Sequence, residues 1–250
     1  MTDASTDWHR RFSQQASWTR DLRNYLFERA GLQNARRVLD VGCGTGVLEI
    51  ELTNRTSARI YGLDIDSVRL IQAVHHTPAV CFILANAFHL PFPDAWFDIT
   101  FCHFLLLWVA QPMQVVAEMK RVTRPGGFVL ALAEPDYGGR IDYPTDLEII
   151  GQMQVVALRR QGADPLTGRK LAGIFHQVGL QDPETGLMGG QWKAAPPKDD
   201  FALEWSVIQS DLAESTSPEN LERLRAIDAF AWQQGERVLF VPTFYALGQV

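Results

Sequence analysis

From residue 37 to about residue 133, short apolar or β-branched runs alternate with stretches whose apolar residues recur at helical spacing, the pattern of βαβ units around a parallel sheet. The runs at 37–41, 59–63, 80–85, 97–102 and 128–133 are predicted strands, each closed by Gly, Asp, Asn or Pro punctuation. Helices are predicted between them at 46–54, 66–75 and 113–123, the last stopped by Arg124-Pro125-Gly126-Gly127. Upstream, Trp8, Phe12, Trp18, Leu22, Tyr25, Leu26 and Phe27 fall at roughly helical spacing up to Gly31, which predicts one or two helices lying over the sheet edge. Downstream, 143–160, 165–178 and most of 198–234 read as helical, 187–192 as a strand, and the apolar runs either side of Pro242 as a final edge strand. The fold class predicted is α/β, a doubly wound, mostly parallel seven-stranded sheet with helical cap elements. Within one catalytic domain, residues 1–36 supply cap helices, 37–137 the ligand-binding core, and 138–250 the rest of the sheet with helical insertions.

The sharpest local feature is Val38-Leu39-Asp40-Val41-Gly42-Cys43-Gly44-Thr45-Gly46, an apolar strand running into three alternate glycines and then a helix. Glycine there permits unusual φ values and close backbone approach to a ligand, and such loops bind nucleotide-like cofactors at the carboxyl ends of open α/β sheets. Asp64 ends the second predicted strand about twenty residues on, where a carboxylate accepts from ribose hydroxyls. A dinucleotide fingerprint wants its third glycine three positions after the second, whereas here Gly46 follows Gly44 by two and Val47 stands at the third. Nicotinamide is disfavoured accordingly.

With Arg124-Pro125-Gly126-Gly127 and the segment from Asn86 to Asp98, these motifs make residues 37–134 resemble the class I S-adenosylmethionine-dependent methyltransferases, in their ubiquinone/menaquinone-methyltransferase-like small-molecule branch. The resemblance implies a Rossmann-like fold and S-adenosylmethionine as cofactor. It implies that Gly42, Cys43, Gly44 and Gly46 lie against the methionine and ribose portions, that Asp40 helps hold the ammonium end, and that Asp64 takes the ribose hydroxyls. Ile65 would pack on the adenine face, Asn86 and Ala87 beside the adenine, and Cys102 and His103 near the methionine moiety. Two positions depart from the family pattern: Asn86 stands where most relatives have Asp, and Trp108 where many have His.

Composition narrows the partners. The 250-residue chain is 46% hydrophobic and 21% charged, enough for one sizeable core with a small cap. A formal net charge of -6, with Lys and Arg scattered, opposes binding to a phosphate backbone, and 102–105 reads Cys-His-Phe-Leu where a nucleic-acid methyltransferase would carry a base-reading motif. No apolar run is long enough to span a bilayer, and no basic segment followed by an apolar one opens the chain. The three cysteines, Cys43, Cys81 and Cys102, fit neither a disulfide framework nor a metal knuckle, so a cytoplasmic protein acting on a small molecule is expected.

Methyl transfer is mainly a matter of alignment, with a general base required only when the nucleophile arrives protonated. The first polar residues beyond the strand ends are His103, Glu134, Asp136 and Tyr137, of which His103, Glu134 and Tyr137 are the candidate catalytic residues. Glu134 and Asp136 lack a further acidic partner at metal-binding spacing, so no metal is expected. Trp18 is a candidate for the cofactor's cationic sulfonium and Arg20 for its carboxylate. The alternative to an enzyme is a module that binds S-adenosylmethionine without turnover, as a sensor or partner subunit.

Overall fold

The computed structural model describes residues 8–187, 189 and 195–250. Two helices, α1 (Trp8–Trp18) and α2 (Arg20–Arg29), precede β1 (Arg37–Val41), α3 (Val47–Thr53), β2 (Arg59–Asp64), α4 (Ser67–His76), β3 (Cys81–Leu84), β4 (Phe97–Cys102), α5 (Pro112–Val122) and β5 (Thr123–Pro135). Then follow β6 (Ile141–Tyr143), α6 (Glu148–Arg160), α7 (Leu171–Gln177), β7 (Gln181–Leu187), α8 (Lys198–Leu212), α9 (Pro218–Gln234), β8 (Val238–Phe240) and β9 (Thr243–Gln249). The main sheet has seven strands in the order β3-β2-β1-β4-β5-β9-β7, with β9 antiparallel to both neighbours and the others parallel. This is the expected Rossmann-like, mostly parallel sheet.

Successive side chains of β1 point to opposite faces, and both faces are covered, which is why the strand is apolar almost throughout. Leu39 and Val41 join a core with Val115 and Met119 of α5 and Phe175 of α7. Val38 joins the other core, with Leu48 and Leu52 of α3, Leu26 and Phe27 of α2, and Phe101 of β4. Large side chains as fully buried as Leu39, Phe27 and Phe101 contribute about 1.5–3 kcal/mol each. The strand order reverses between β1 and β4, so the loops leaving their carboxyl ends diverge and open the crevice where ligands bind in such sheets.

Local chemistry sets several helix ends. Asp66 accepts from Val68 and Arg69 N–H at 2.9 and 3.2 Å and starts α4. Pro112 opens α5, and α9 runs from the Ser217 cap to Gly235 in the left-handed region.

Several sequence expectations shift. Helix α2 reaches the sheet edge, where Tyr25 donates to Glu184 of β7 at 2.6 Å, and extends inward as well, Phe27 packing edge-on against Phe101 of the central β4 with ring centroids 5.3 Å apart. Of the strand expected at 187–192, residues 188 and 190–192, Trp192 among them, lie outside the described residues; a late strand runs over Gln181–Leu187. Its polar, Pro183-bearing sequence suits an edge strand that loses little by missing a donor. The last strand is not an edge strand, because β9 sits between β5 and β7, while β8 pairs with β6 in a separate two-stranded sheet. The helix expected over 143–160 begins only at Glu148, since Pro144 keeps Tyr143 extended and pairs it into β6. Of 165–178 only Leu171–Gln177 is α-helical, and it packs on the sheet through Ile174 and Phe175.

The cap is built from α6, α8 and α9 around Leu147, Ile150, Trp205, Ile208, Leu212 and Leu224. A buried ion network joins it to the small sheet. Arg237 bonds Asp142 at 2.7 Å and Asp228, Arg140 bonds Asp142 at 2.6 Å, and Trp205 Nε1 donates to Asp228 at 2.7 Å. Helix α1 reaches the cap as well, through Arg11 to Glu204 and Gln14 to the Asp200 carbonyl.

Candidate cofactor and acceptor site

The loop after β1 folds back on the end of β2. Gly42 and Cys43 N–H donate to the Leu63 carbonyl at 2.7 and 3.0 Å, and Gly44 N–H donates to Asp64 Oδ2 at 2.8 Å. Gly42 and Gly44 have φ of 83° and 54°, the left-handed region that side-chain-bearing residues avoid. A Cβ on Gly42 would stand 2.8 Å from Leu105, and one on Gly44 would stand 3.0 Å from the Phe12 ring, so the loop is a bare backbone cradle roofed by two apolar side chains. Asp64 Oδ1 accepts from Asp66 N–H at 2.9 Å. An ionised carboxylate has about four lone-pair sites, so Asp64 retains acceptor capacity for a pair of hydroxyls.

Around the cradle, Ile65 just past β2 is 70% exposed, and Val68 in the first turn of α4 and Leu84 at the end of β3 are exposed too, an apolar surface suited to a base. Asn86 is exposed, with Oδ1 accepting from Phe88 N–H at 3.0 Å, which leaves its amide hydrogens free of that turn. Ala87 packs partly buried against the core. Cys43 and Cys102 are buried, and burial pushes both thiols well above their ordinary range. Asp40 points to the face covered by α3, where it is buried with an Oδ1 that no donor meets.

Helix α1 meets the loop through residues other than those expected. Trp18 is about half exposed with the Arg11 guanidinium 5.1 Å from its ring, and Arg20 is exposed at the start of α2. The residues on the loop are Phe12, over Gly44, and His9, whose Nδ1 lies 3.0 Å from Thr45 Oγ1 and whose ring stacks on His76 of α4 at 3.8 Å. Helical spacing marks all these positions as one amphipathic segment. Which turn of it would touch the loop depends on how the helix is anchored to the cap, which periodicity does not encode.

Beyond β4 and β5 lie the candidate catalytic residues. His103 is partly buried, its Nε2 2.9 Å from Thr19 Oγ1, and desolvation with the nearby Arg23 charge brings its pKa down to about 3. It is therefore neutral at physiological pH. Glu134 is fully buried at the end of β5, where Oε1 accepts from Leu105 and Leu106 N–H at 3.0 and 2.9 Å and Oε2 from Leu107 N–H at 3.2 Å. Burial raises it to about 7, against the lowering effect of those three donors. The carboxylate thus clamps the turn that carries Leu105 over Gly42. Tyr137 stands beneath the cap, and its phenol is raised by burial in a field that includes Arg11, Glu204, Arg140 and Asp211. Asp136 is tied to Arg169. Among the described residues no three His, Cys, Asp or Glu converge on a point that could hold a metal ion.

These shifts make stability depend on pH in opposite senses. His103, lowered from 6.5 to about 3, binds its proton more readily when unfolded, so its contribution grows as pH rises to about 6.5. Glu134, raised from 4.5 to about 7, and Glu49, raised from 4.5 to about 8, hold protons more tightly when folded, so theirs is lost as pH climbs through those values. Above about pH 6.5 only the losses remain. Urea unfolding of the ligand-free protein should show stability falling between pH 6.5 and 8, by on the order of 1–3 kcal/mol. A flat or rising profile there would contradict these assignments.

The residues present fit S-adenosylmethionine: a backbone cradle that Cβ atoms would fill, a ribose-type carboxylate with spare acceptor sites, an exposed apolar shelf and an unpartnered buried carboxylate oxygen. A family described as a methyltransferase domain matches residues 39–131. The chain is 35% identical over 193 residues to a demethylmenaquinone methyltransferase of Geobacillus kaustophilus, covering 69% of this chain and 81% of that one. It is 34% identical over 121 residues to a malonyl-[acyl-carrier protein] O-methyltransferase of Erwinia pyrifoliae, covering 48% of this chain and 46% of the relative. A solved S-adenosylmethionine-dependent methyltransferase from Archaeoglobus fulgidus shares the fold at TM-score 0.59 and 15% identity, over 98% of this chain and all of that one (100%). The chain belongs to the class I S-adenosylmethionine-dependent methyltransferases. Its cofactor is S-adenosylmethionine.

Proposed function

We propose that the chain transfers the methyl group of S-adenosylmethionine to an O, N or C atom of a small molecule held between the core and the cap. The observation that carries this reading is the meeting of two half-sites at the sheet's switch point. The glycine cradle with Asp64 lies on one side; on the other lie the Glu134-clamped turn, His103 against Thr19 between α1 and α2, and Tyr137 beneath the cap. When bound, the cofactor supplies an electrophilic methyl on a cationic sulfur. The chain's contribution is to align the nucleophile, a positioning effect that can reach about 7–11 kcal/mol.

In this reading Gly42, Cys43, Gly44 and Gly46 offer backbone, Asp64 takes the ribose hydroxyls, Ile65 covers the adenine, and Asn86 and Ala87 border its edge. Asp40 serves the ammonium end, with the Cys102 and His103 backbone beside the methionine portion. The exposure of Trp18 and Arg20 favours Phe12 and His9 for the lid contacts sought at those two positions. Tyr137, kept protonated, would donate a hydrogen bond to the acceptor. Neutral His103 would orient through Thr19, and Glu134 would hold the turn. No strong base stands in this set, which favours acceptors that arrive nucleophilic.

The acceptor's identity resides in the cap, because one cofactor scaffold hosts many substrates. Action in the cytoplasm, on neither nucleic acid nor membrane, belongs to the same proposal, supported by three unpaired cysteines and the net charge of -6. No helix of the described residues is long and apolar enough to cross a membrane.

Calorimetric titration with S-adenosylmethionine, S-adenosylhomocysteine and NAD tests the donor half. Both adenosyl ligands should bind and NAD should not, and Asp64→Ala should weaken binding by about ten- to a hundredfold. Transfer of labelled methyl to a panel of phenols, amines and acidic carbons tests the acceptor half. Binding with no transfer to any acceptor would favour the module without turnover, and no adenosyl binding by folded protein would overturn the proposal.

A further inference from the structure

Beneath the glycine cradle lie two carboxyl groups, three of whose four oxygens are buried without a hydrogen-bond partner. Asp40, at the end of β1, is 2% exposed and Glu49, in α3, is 0% exposed. Asp40 Oδ1, Glu49 Oε1 and Glu49 Oε2 are all without a partner, and no basic side chain among the described residues forms an ion pair with either group. The two carboxyls interact directly with one another. Acceptor meets acceptor in a place that water does not reach, an arrangement that costs free energy unless a proton or a cation stands between them.

Every neighbouring titratable group makes the site more acid-rich or is engaged elsewhere. Asp64 of β2 adds a third negative field, and Cys43 and Cys102 are buried thiols in the same field. From α1 and α4, His9 and His76 face Thr45 instead. From α2, the Arg23 guanidinium donates through its two terminal nitrogens to Glu51, Thr19 and the Ala16 carbonyl, while its Nε meets no partner and neither carboxyl of the pair.

We infer that Asp40 and Glu49 together form the receptor for the ammonium group at the amino-acid end of the bound cofactor, and that seating this cation drives a proton from the pair into solvent. The inference rests on the cofactor reading above and adds Glu49, a residue that no glycine-loop pattern singles out. Desolvation with mutual repulsion keeps at least one proton on the empty pair at neutral pH, Glu49 being raised to about 8 and Asp40 raised well above its ordinary range. An ammonium replaces that proton as the neutralising charge. Cofactor affinity should therefore rise with pH from 6 towards about 8, where the pair would ionise unaided.

The alternative is a purely structural pair that shares its proton permanently. Glu49→Gln separates the two, because an amide can donate to Asp40 and satisfy the buried acceptor without any ligand. The readouts are proton release, measured by calorimetry in buffers of different ionisation heat, and affinity for two probes. S-adenosylhomocysteine carries the ammonium, whereas 5′-methylthioadenosine has the nucleoside and thioether without the amino-acid end. Wild type should release a proton on binding the first probe and none on binding the second. Glu49→Gln should weaken S-adenosylhomocysteine by about tenfold or more, abolish the proton release, leave 5′-methylthioadenosine unchanged and raise the melting temperature of the free protein. Equal loss of both probes, or unchanged S-adenosylhomocysteine affinity and proton release, would overturn the inference. A wild-type chain that bound neither probe would instead remove the cofactor reading beneath it.

Discussion

Arg237→Ala should destabilise the protein by about 3–5 kcal/mol, the usual loss when one partner of a buried ion pair is deleted. Its side chain is 1% exposed and bonds both Asp142 and Asp228, whose side chains are 2% and 8% exposed. Removal leaves two buried aspartates short of a cation, with Arg140 to neutralise only Asp142. Asp228 also accepts from the Trp205 indole, so the loss should spread into the core of the cap. Urea unfolding followed by near-ultraviolet circular dichroism would register both effects. Because the donor cradle is built from β1, β2 and α1, binding of S-adenosylhomocysteine to the folded fraction should change far less than methyl transfer does. A loss below about 1 kcal/mol would show the network to be a solvated surface feature.

Glu134→Ala should cost about 3 kcal/mol or more, since three N–H groups of the turn at Leu105, Leu106 and Leu107 lose their only acceptor in the buried end of β5. In a chain of this length, that is a fall of roughly 6–12 °C in melting temperature. Leu105 roofs Gly42, so a loosened turn should weaken cofactor binding alongside stability. Glu134→Gln separates this role from general-base catalysis. The amide keeps one acceptor oxygen, so stability and binding should fall part-way and together. A general base, by contrast, would lose turnover by about 10²–10⁴-fold with binding intact.

These two predictions concern residues whose importance is invisible to local pattern. Glu134 reads in sequence as the first acid past a strand, a place where catalytic groups sit. Its burial depends on the turn after β4 folding over it, a contact between segments about thirty residues apart. Arg237 and Asp228 are separated from Asp142 by more than eighty positions, and nothing in a charge pattern pairs them. The strand at Gln181–Leu187, which the pattern of the sequence did not predict, has the same origin, since an edge strand needs only one paired side and so carries little apolar signal.

Near neighbours in sequence, by contrast, made the cofactor half readable. The strand, the alternate glycines and Asp64 lie within 27 residues, and each states its own requirement: positive φ, bare backbone, an acid at a strand end. Periodicity likewise identified β1, β2, β4 and the helices between, because a strand buried on both faces must be apolar throughout and a covering helix apolar on one side. The tertiary structure alone decided that β9 enters between β5 and β7, that Phe12 rather than Trp18 roofs the loop, and that Glu49 is sealed against Asp40. Each of these is a contact between distant segments, selected by which surfaces bury one another when the whole chain closes, and no residue's own type or spacing carries that information.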